Sequence, residues 1–171
     1  EVPPLDFYSQ TGQELRVSYI RSLLSDHEIS FGLSFFEANS KGKVITTNLD
    51  YQTKFLGAFV KTHFNFLTLF NRRFCTSCTK INFFATVGAQ TSILSQGTQK
   101  INEQVIDLSG KEDFKGLWVA PMLGIKSRFD ASDLISLFIS YEFMPMFNVT
   151  DNEEDFKIRQ NPLTLGIRLW L

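Results

Sequence analysis

The stretch INFFATVGAQTSIL, residues 81–94, decides how the rest of this sequence is interpreted. Alternate positions carry apolar residues on one face, namely Ile81, Phe83, Ala85, Val87, Ala89 and Ile93. The other face carries Asn82, Phe84, Thr86, Gly88, Gln90 and Ser92. This two-residue period is typical of a β-strand whose two faces meet different environments. Because strands of soluble domains usually have about five or six residues, so long a strand raises the question of whether its apolar face meets a protein core or lipid.

The composition limits the class of protein. A chain of 171 residues with a formal net charge of −1 fits a single domain, residues 1–171, and gives no reason to expect a nucleic-acid partner. No apolar run reaches the length of about 18 residues that a transmembrane helix needs. The first ten residues, EVPPLDFYSQ, lack the pattern of a signal peptide. That start fits a cytosolic protein and a processed, exported chain equally well.

The same alternation recurs in six further segments: 15–23, 28–36, 55–67, 116–126, 135–147 and 163–171. The connections between the seven predicted strands alternate in length. Residues 24–28, 71–80 and 130–133 are short or intermediate, whereas residues 37–50, 95–114 and 149–161 are long and polar. This pattern indicates a barrel with one plain rim and one elaborated rim, as in transmembrane barrels with short periplasmic turns and long outer loops.

The composition of the two strand faces predicts which one points outward. A soluble barrel turns its apolar face inward and exposes a charged face to water. Here the polar faces are rich in Gly and Ser, which suit a narrow lumen, and the apolar faces are rich in Phe, Leu and Ile, as lipid requires. We therefore predict an all-β protein, a transmembrane antiparallel up-and-down β-barrel of eight strands. Seven strands are clear, and the first is short or missing, with residues 5–9 as its candidate unless the chain lacks its true N-terminus.

The ordered segments YQTKFLGAFVKTHF, INFFATVGAQTSIL, FKGLWVAPMLGIKSRF, LISLFISYEFMPMF and NPLTLGIRLWL resemble the small outer-membrane barrels of Bacteroidetes that are often called PorT-like. The resemblance covers about residues 14–171 and rests on pattern, not on an invariant motif. It implies eight antiparallel strands and a location in the bacterial outer membrane. Members range from porin-like proteins to components of protein-export machinery. They usually end on an aromatic residue, whereas here Trp170 is followed by Leu171.

Parity along the strands places five charged residues in the lumen: Arg16, Lys61, Lys126, Glu142 and Arg168. Eight strands enclose a space that side chains fill, and buried charges need partners. We therefore predict a lumen charge network in which Glu142 bonds to a basic residue, with Arg16 as the first candidate, and a barrel that conducts no ions. His63 is predicted to fill the lumen as well.

Few residues suggest other chemistry. Cys75 and Cys78 form a CxxC pair that could be a redox pair, half a zinc site, a simple disulfide or two free thiols, and we favour the disulfide or thiols in a turn. The acidic residues 151–155 lack the glycine and spacing of a calcium loop, although the sequence leaves cation binding open. No nucleophile, base and orienting group come together, so we expect no enzyme and no cofactor.

Two prolines mark a candidate partner surface. Pro121 and Pro145 lie in adjacent predicted strands on the lipid-facing side, where each removes a backbone donor. The simpler interpretation is a β-bulge at each site. The alternative is a face that docks another membrane protein, formed by Val119, Pro121, Leu123, Ile139, Phe143 and Pro145. Trp118, Tyr19, Tyr51 and Tyr141 are predicted interface aromatics.

The sequence thus favours an integral outer-membrane protein without enzymatic activity, a structural or accessory subunit of a complex for protein export or assembly. Its expected partners are outer-membrane lipid and other outer-membrane proteins. Two alternatives remain: a soluble or periplasmic barrel that binds an apolar ligand inside, and a small porin-like protein. Which complex the chain would join is not readable from the sequence.

Overall fold

The computed structural model describes residues 6–10, 12–24, 27–44, 47–66, 80–101, 104–108, 115–150 and 157–170, and these ranges form a nearly all-β structure. The strands are Asp6–Gln10 (β1), Glu14–Leu24 (β2), His27–Val44 (β3), Thr47–Asn65 (β4), Ile81–Ile101 (β5), Gln104–Asp107 (β6), Leu117–Asp130 (β7), Ile135–Asn148 (β8), Lys157–Gln160 (β9) and Leu163–Leu169 (β10). No helix in these ranges is long and apolar enough to cross a membrane.

The strands form one antiparallel up-and-down sheet. The path through the sheet follows the order of the chain, and the sheet curls into a half-barrel. β1 and β2 lie along one edge of β3, β6 and β7 lie along one edge of β5, and β9 and β10 lie along one edge of β8. The ten strands therefore occupy seven positions. The all-β up-and-down architecture predicted from the alternation is confirmed.

The first strand does not supply an eighth position. β1 forms close to where the sequence predicts it, but it continues the line of β2 on the same edge of β3: Gln10 pairs with Asn39, and Glu14 pairs with Phe36. Six antiparallel steps separate β2 from β10, so these two strands run in the same direction. Among the described residues no ladder joins them, and the sheet keeps two free edges.

Two of the predicted long loops contain strand instead of loop. β3 continues to Val44 and β4 begins at Thr47, so most of residues 37–50 belong to a hairpin that extends the barrel strands. β5 likewise continues to Ile101 and pairs there with β6. These extensions carry polar residues on both faces, and therefore they lack the apolar alternation that marks the barrel. In the third predicted loop, β9 pairs with β8, and residues 151–156 lie outside the described ranges.

A β-bulge separates the barrel from this extension. Phe55 pairs with Leu94, whereas Lys54 pairs with Gln96, so Ser95 is the extra residue on β5. At the opposite end the turn between β7 and β8 is as short as predicted, and the backbone amides of Ala131 and Ser132 both donate to the carbonyl of Ile135.

The outward faces of the barrel strands are apolar and exposed. Their large side chains include Leu15, Val17, Tyr19, Phe31, Leu33, Phe35, Leu56, Val60, Val87, Leu123, Ile125, Ile139, Phe143, Leu163, Leu165 and Ile167. The inward faces bury polar and charged residues such as Ser30, Lys61, Thr86, Glu142 and Arg168. This distribution is the reverse of that in a soluble barrel.

The inward side chains fall into two zones. Toward the hairpin extensions lies an apolar plug, formed by Phe36, Phe55, Phe59, Leu108, Trp118, Ala120, Met122, Met144 and Met146. Toward the short-turn end the inward residues are polar and charged. Along β4 from the turn end the order is His63, Lys61, Phe59, Gly57 and Phe55, which passes from one zone into the other.

The interface aromatics are only partly placed as the sequence predicts. Tyr19 and Tyr141 are exposed on the outward face. Trp118 was wrongly assigned to the interface, because it is 0% exposed and its ring meets that of Phe55 edge to face at 5.6 Å between centroids. Tyr51 lies on the hairpin extension, where its hydroxyl accepts a hydrogen bond of 2.6 Å from Gln99 Nε2. Parity along β7 explains the error, since Trp118 alternates with Leu117 and Val119.

We expect the apolar plug to carry much of the stability. Phe55→Ala should lower the free energy of unfolding by about 3–5 kcal/mol, because the ring is fully buried against Phe36 and Trp118. Urea unfolding followed by tryptophan fluorescence measures this loss. Leu165→Ala is the control, since that side chain is 76% exposed. Equal losses for the two variants would contradict the assignment of the plug.

Candidate functional site: a charge network inside the barrel

Glu142 on β8 organises the first of two charge clusters in the lumen. Its Oε2 accepts a hydrogen bond of 2.5 Å from Arg16 Nη1 on β2, and its Oε1 accepts one of 2.6 Å from Lys61 Nζ on β4. Arg16 Nε also donates to Glu14 Oε1 at 2.5 Å. The Glu142 cluster thus comprises Glu142, Arg16, Lys61 and Glu14, and it contains the pair that the sequence puts first, Glu142 with Arg16.

Glu28 at the start of β3 organises the second cluster. Arg168 Nη1 donates to Glu28 Oε1 at 2.7 Å, Lys126 Nζ donates to Oε2 at 3.2 Å, and Arg128 Nη1 donates to Oε1. Arg128 also pairs with Asp130, with 2.9 Å between Nε and Oδ1. The Glu28 cluster therefore joins β3, β7 and β10 at the short-turn end.

The predicted bond from a basic residue to Glu142 is confirmed, with Arg16 as one of the donors. The other two predicted cations, Lys126 and Arg168, bind Glu28. Sequence reasoning missed Glu28, Arg128, Glu14 and Asp130. Parity could have found Glu28 and Arg128, because each lies on the same strand face as an inward side chain two residues away, Ser30 and Lys126 respectively.

Aromatic rings separate the charged layers and contact their cations. Lys61 Nζ lies 4.7 Å from the centroid of Phe59, and Lys126 Nζ lies 4.7 Å from that of Phe84. Arg168 Cζ lies 3.5 Å from the ring of Trp170. A cation over a ring face is stabilised by about 0.5–2 kcal/mol, more when water is excluded. These rings help to offset the cost of burying the charges.

Two glycines make room for the Glu142 cluster. Gly124 lies opposite Glu142 in the β7–β8 ladder, and a Cβ on Gly124 would come within 2.8 Å of Glu142 Cγ. Gly88 lies opposite Lys61, and a Cβ there would come within 3.0 Å of Lys61 Cγ. The absence of a side chain at both positions lets the stems of Glu142 and Lys61 lie flat against the wall.

His63 belongs to a neutral polar layer between the clusters. Its Nε2 lies 2.9 Å from Ser30 Oγ, and its Nδ1 lies 2.9 Å from Thr86 Oγ1. Ser30 and His63 have the spacing of a nucleophile and its base. However, Ser30, His63 and Thr86 are all buried, and a substrate would need open space within about 3 Å of the hydroxyl. The layer therefore fills the lumen.

The predicted docking residues share the outward face of β7 and β8. Pro121, Leu123, Ile139 and Phe143 are exposed, and Val119 and Pro145 are half-buried. The remaining candidates cannot be placed: Cys75, Cys78 and the acidic residues 151–155 all lie outside the described ranges. Within those ranges no three His, Cys, Asp or Glu side chains gather where a metal ion could bind.

The arrangement links distant parts of the curled sheet. The Glu142 cluster ties β2 and β4 to β8, and the Glu28 cluster ties β3 to β7 and β10. None of these bonds between strands joins two strands that pair directly in the sheet. The charged side chains occupy the lumen, and in each cluster the basic residues pair with a shared carboxylate. These ion pairs cross-link the wall of the curled sheet.

Comparison with known proteins gave no match: no family model, no curated protein and no solved structure is similar to this chain. The resemblance to the small outer-membrane barrels of Bacteroidetes stays a prediction from the sequence pattern. The fold and the lumen network therefore rest on the structure alone.

Removal of the Glu28 carboxylate should destabilise the barrel strongly. Glu28→Ala leaves Lys126, Arg128 and Arg168 buried without their shared anion, and loss of one partner of a buried ion pair costs about 3–5 kcal/mol. Urea unfolding measures the change. The control is Glu37→Ala, because Glu37 pairs with Lys54 on the half-exposed hairpin at 3.6 Å, where a pair contributes about 0–1 kcal/mol. Similar losses in both variants would show that the cluster does not hold the wall.

Proposed function

We propose that this protein is an integral outer-membrane β-barrel protein without enzymatic activity, and that it serves as a structural or accessory subunit of a membrane complex. The observation that carries this proposal is the inverted distribution of side chains. Inside, the side chains of the ion pair between Lys61 and Glu142 are 6% and 2% exposed. Outside, the surface is covered by Leu, Val, Ile and Phe side chains.

The outward surface is too apolar for water. A soluble monomer rarely exposes a contiguous apolar patch of more than a few hundred Å². Here the exposed apolar side chains continue from β2 through β3, β4, β5, β7 and β8 to β10. Most barrel strands also reach the length of about 9–11 residues that a tilted strand needs to cross a bilayer. β7 and β8 have 14 residues each and β2 has 11, whereas β10 has seven.

The distribution disfavours both alternatives. A soluble barrel that binds an apolar ligand needs an apolar interior along its length, whereas the lumen at the short-turn end holds the Glu28 cluster. A porin-like protein needs an open lumen. Here the apolar plug closes one end, since Phe55, Trp118, Met122 and Met144 are each 0% exposed.

A subunit role in a complex is supported by two features. The pattern resembles barrels that include components of protein-export machinery. In addition, β2 and β10 present free edges among the described residues, and an unpaired edge is a template for pairing with another strand. We propose other outer-membrane proteins as the partners.

Membrane location is tested by flotation. The purified chain, folded in detergent and mixed with phospholipid vesicles, should float with the lipid in a density gradient and resist extraction by high salt. A chain that stays monomeric and soluble in detergent-free buffer would refute the proposal. Co-purification from native membranes then tests the subunit role.

A charge on the outward face should distinguish lipid from water. Val60→Arg should lower the stability of the vesicle-inserted barrel by about 2–4 kcal/mol, since Val60 is 47% exposed on the lipid-facing side. Thr98→Arg, on the exposed hairpin extension, is the matched control. In a soluble barrel both substitutions would stay within about 0.5 kcal/mol. Urea unfolding from vesicles separates these outcomes.

The filling of the lumen predicts a silent barrel. In a planar bilayer the protein should give no conductance steps of porin size, because the apolar plug lies at one end of the lumen and the two charge clusters lie toward the other. Such steps from the native chain, absent in a mock preparation, would support the porin-like alternative instead.

A further inference from the structure

The ladder between β7 and β8 is interrupted at one place. Val119 pairs with Phe147 and Leu123 pairs with Phe143, but the three positions between them on each strand form no pair. The register places Pro121 directly opposite Pro145 in the middle of this break. The two flanking pairs are four residue steps apart along each strand, or about 13 Å at ~3.3 Å per residue.

Each proline removes one of the two hydrogen bonds that would join positions 121 and 145. The amide of Val149 donates to the carbonyl of Leu117, and hydrogen-bonded positions in an antiparallel pair recur at every second residue. Positions 121 and 145 therefore face each other where two N–H groups would cross the gap. Proline has no N–H, so neither bond can form. The ladders of β7 with β5 and of β8 with β9 continue past the prolines, which confines the break to one seam.

The inner side of the break is lined by methionine. The chain contains three methionines. All of them, Met122, Met144 and Met146, flank the prolines on the inward face, and all are 0% exposed within the apolar plug. The side chain of Met is unbranched, with three rotatable bonds, and it adapts to irregular space more readily than Leu or Ile. The lumen wall is therefore most deformable where its backbone is least bonded.

The outer side of the break combines an apolar surface with one cation. Leu123 and Phe143 border it and are exposed. Arg159 of β9 lies opposite Pro145, is exposed, and holds its guanidinium 5.7 Å from the centroid of the Phe143 ring. A positive charge beside an apolar opening matches an amphiphile with an anionic head and an apolar tail.

We propose that the seam at Pro121 and Pro145 is a lateral port that admits the chain of a single-chain anionic amphiphile, such as a fatty acid, from the membrane into the methionine-lined part of the lumen. The carboxylate stays outside on Arg159, and the tail takes the space that the methionine side chains vacate. This inference rests on the proposed membrane location. It does not need an open pore, because the port leads only into the apolar plug.

The seam fits an acyl chain better than a protein partner. A methionine side chain and an acyl chain are both unbranched, so one can replace the other against the rings of Phe55 and Trp118 with similar contacts. A docked protein would cover the outer face and would have no use for three flexible side chains on the inner one.

Trp118 supplies a reporter inside the port. The chain has two tryptophans, and Trp170→Phe leaves Trp118, which lies in the apolar plug with the methionines. The Trp170→Phe chain is inserted into vesicles, and a fatty acid brominated in mid-chain is added, with the unbrominated fatty acid as reference. We expect saturable quenching of Trp118, because bromine quenches only at short range.

Arg159→Gln should weaken the apparent affinity about tenfold, the effect of losing one charged hydrogen bond. The methyl ester of the brominated fatty acid has no negative charge. It should therefore bind to the chain with native Arg159 about as weakly as the brominated fatty acid binds to Arg159→Gln.

Restoration of the ladder is the decisive variant. Pro121→Ala with Pro145→Ala returns both N–H donors, and saturable quenching should disappear while the barrel keeps its heat-resistant mobility on gels. Pro162→Ala, outside the seam, is the matched control and should leave quenching unchanged. If the double variant does not fold, Ala120→Leu, which fills the inner mouth, serves the same purpose.

Two results would overturn the port. One is the absence of saturable quenching in a chain that floats with vesicles, which leaves the membrane proposal intact. The other is saturable quenching that survives the double variant. Loss of a co-purified membrane protein on restoring the ladder, without any quenching in the parent, would make the seam a protein contact and would also overturn it. Failure to float would instead refute the membrane proposal.

Discussion

The burial of the Glu28 carboxylate among three cations is the interaction on which the rest of this structure depends. An isolated charge would be too costly inside a barrel, and therefore Glu28 needs Lys126, Arg128 and Arg168 as much as they need it. Because these cations come from β7 and β10, the carboxylate on β3 can be satisfied only when the sheet is curled. The Glu142 cluster imposes the same condition on β2, β4 and β8. Electrostatic pairing across the lumen thus does what a hydrophobic core does in a soluble domain.

The division of the lumen into two zones has consequences for function. Charged pairs at the short-turn end link strands that do not pair directly. Aromatic and methionine side chains at the other end close the lumen without strong directional bonds. The first zone suits a rigid wall, and the second suits a part of the wall that can change its packing. A barrel built in this way supports a structural or accessory role more readily than transport of ions.

The division of the lumen into two zones explains the position of Pro121 and Pro145 in β7 and β8. At the charged end a missing pair of backbone hydrogen bonds would add to an already costly burial. At the apolar end it lies between methionines on one side and exposed Leu123 and Phe143 on the other. The break is therefore placed where the lumen and the outer surface are both apolar. Confinement to one seam also keeps the neighbouring ladders with β5 and β9 intact.

The sequence by itself determined the seven main strands, their outward and inward faces, and five of the inward charges, because side chains of a strand alternate strictly between its two faces. From that parity alone Arg16, Lys61, Lys126, Glu142 and Arg168 could be assigned to the lumen. Only the tertiary structure decided which partners they have, since pairing across the lumen depends on strands far apart in the chain. The same holds for the burial of Trp118 and for Pro121 facing Pro145. Only the tertiary structure showed the polar hairpin extensions of β3, β4 and β5. Both faces of these extensions carry polar residues, so the sequence there lacks the alternation that indicates a strand.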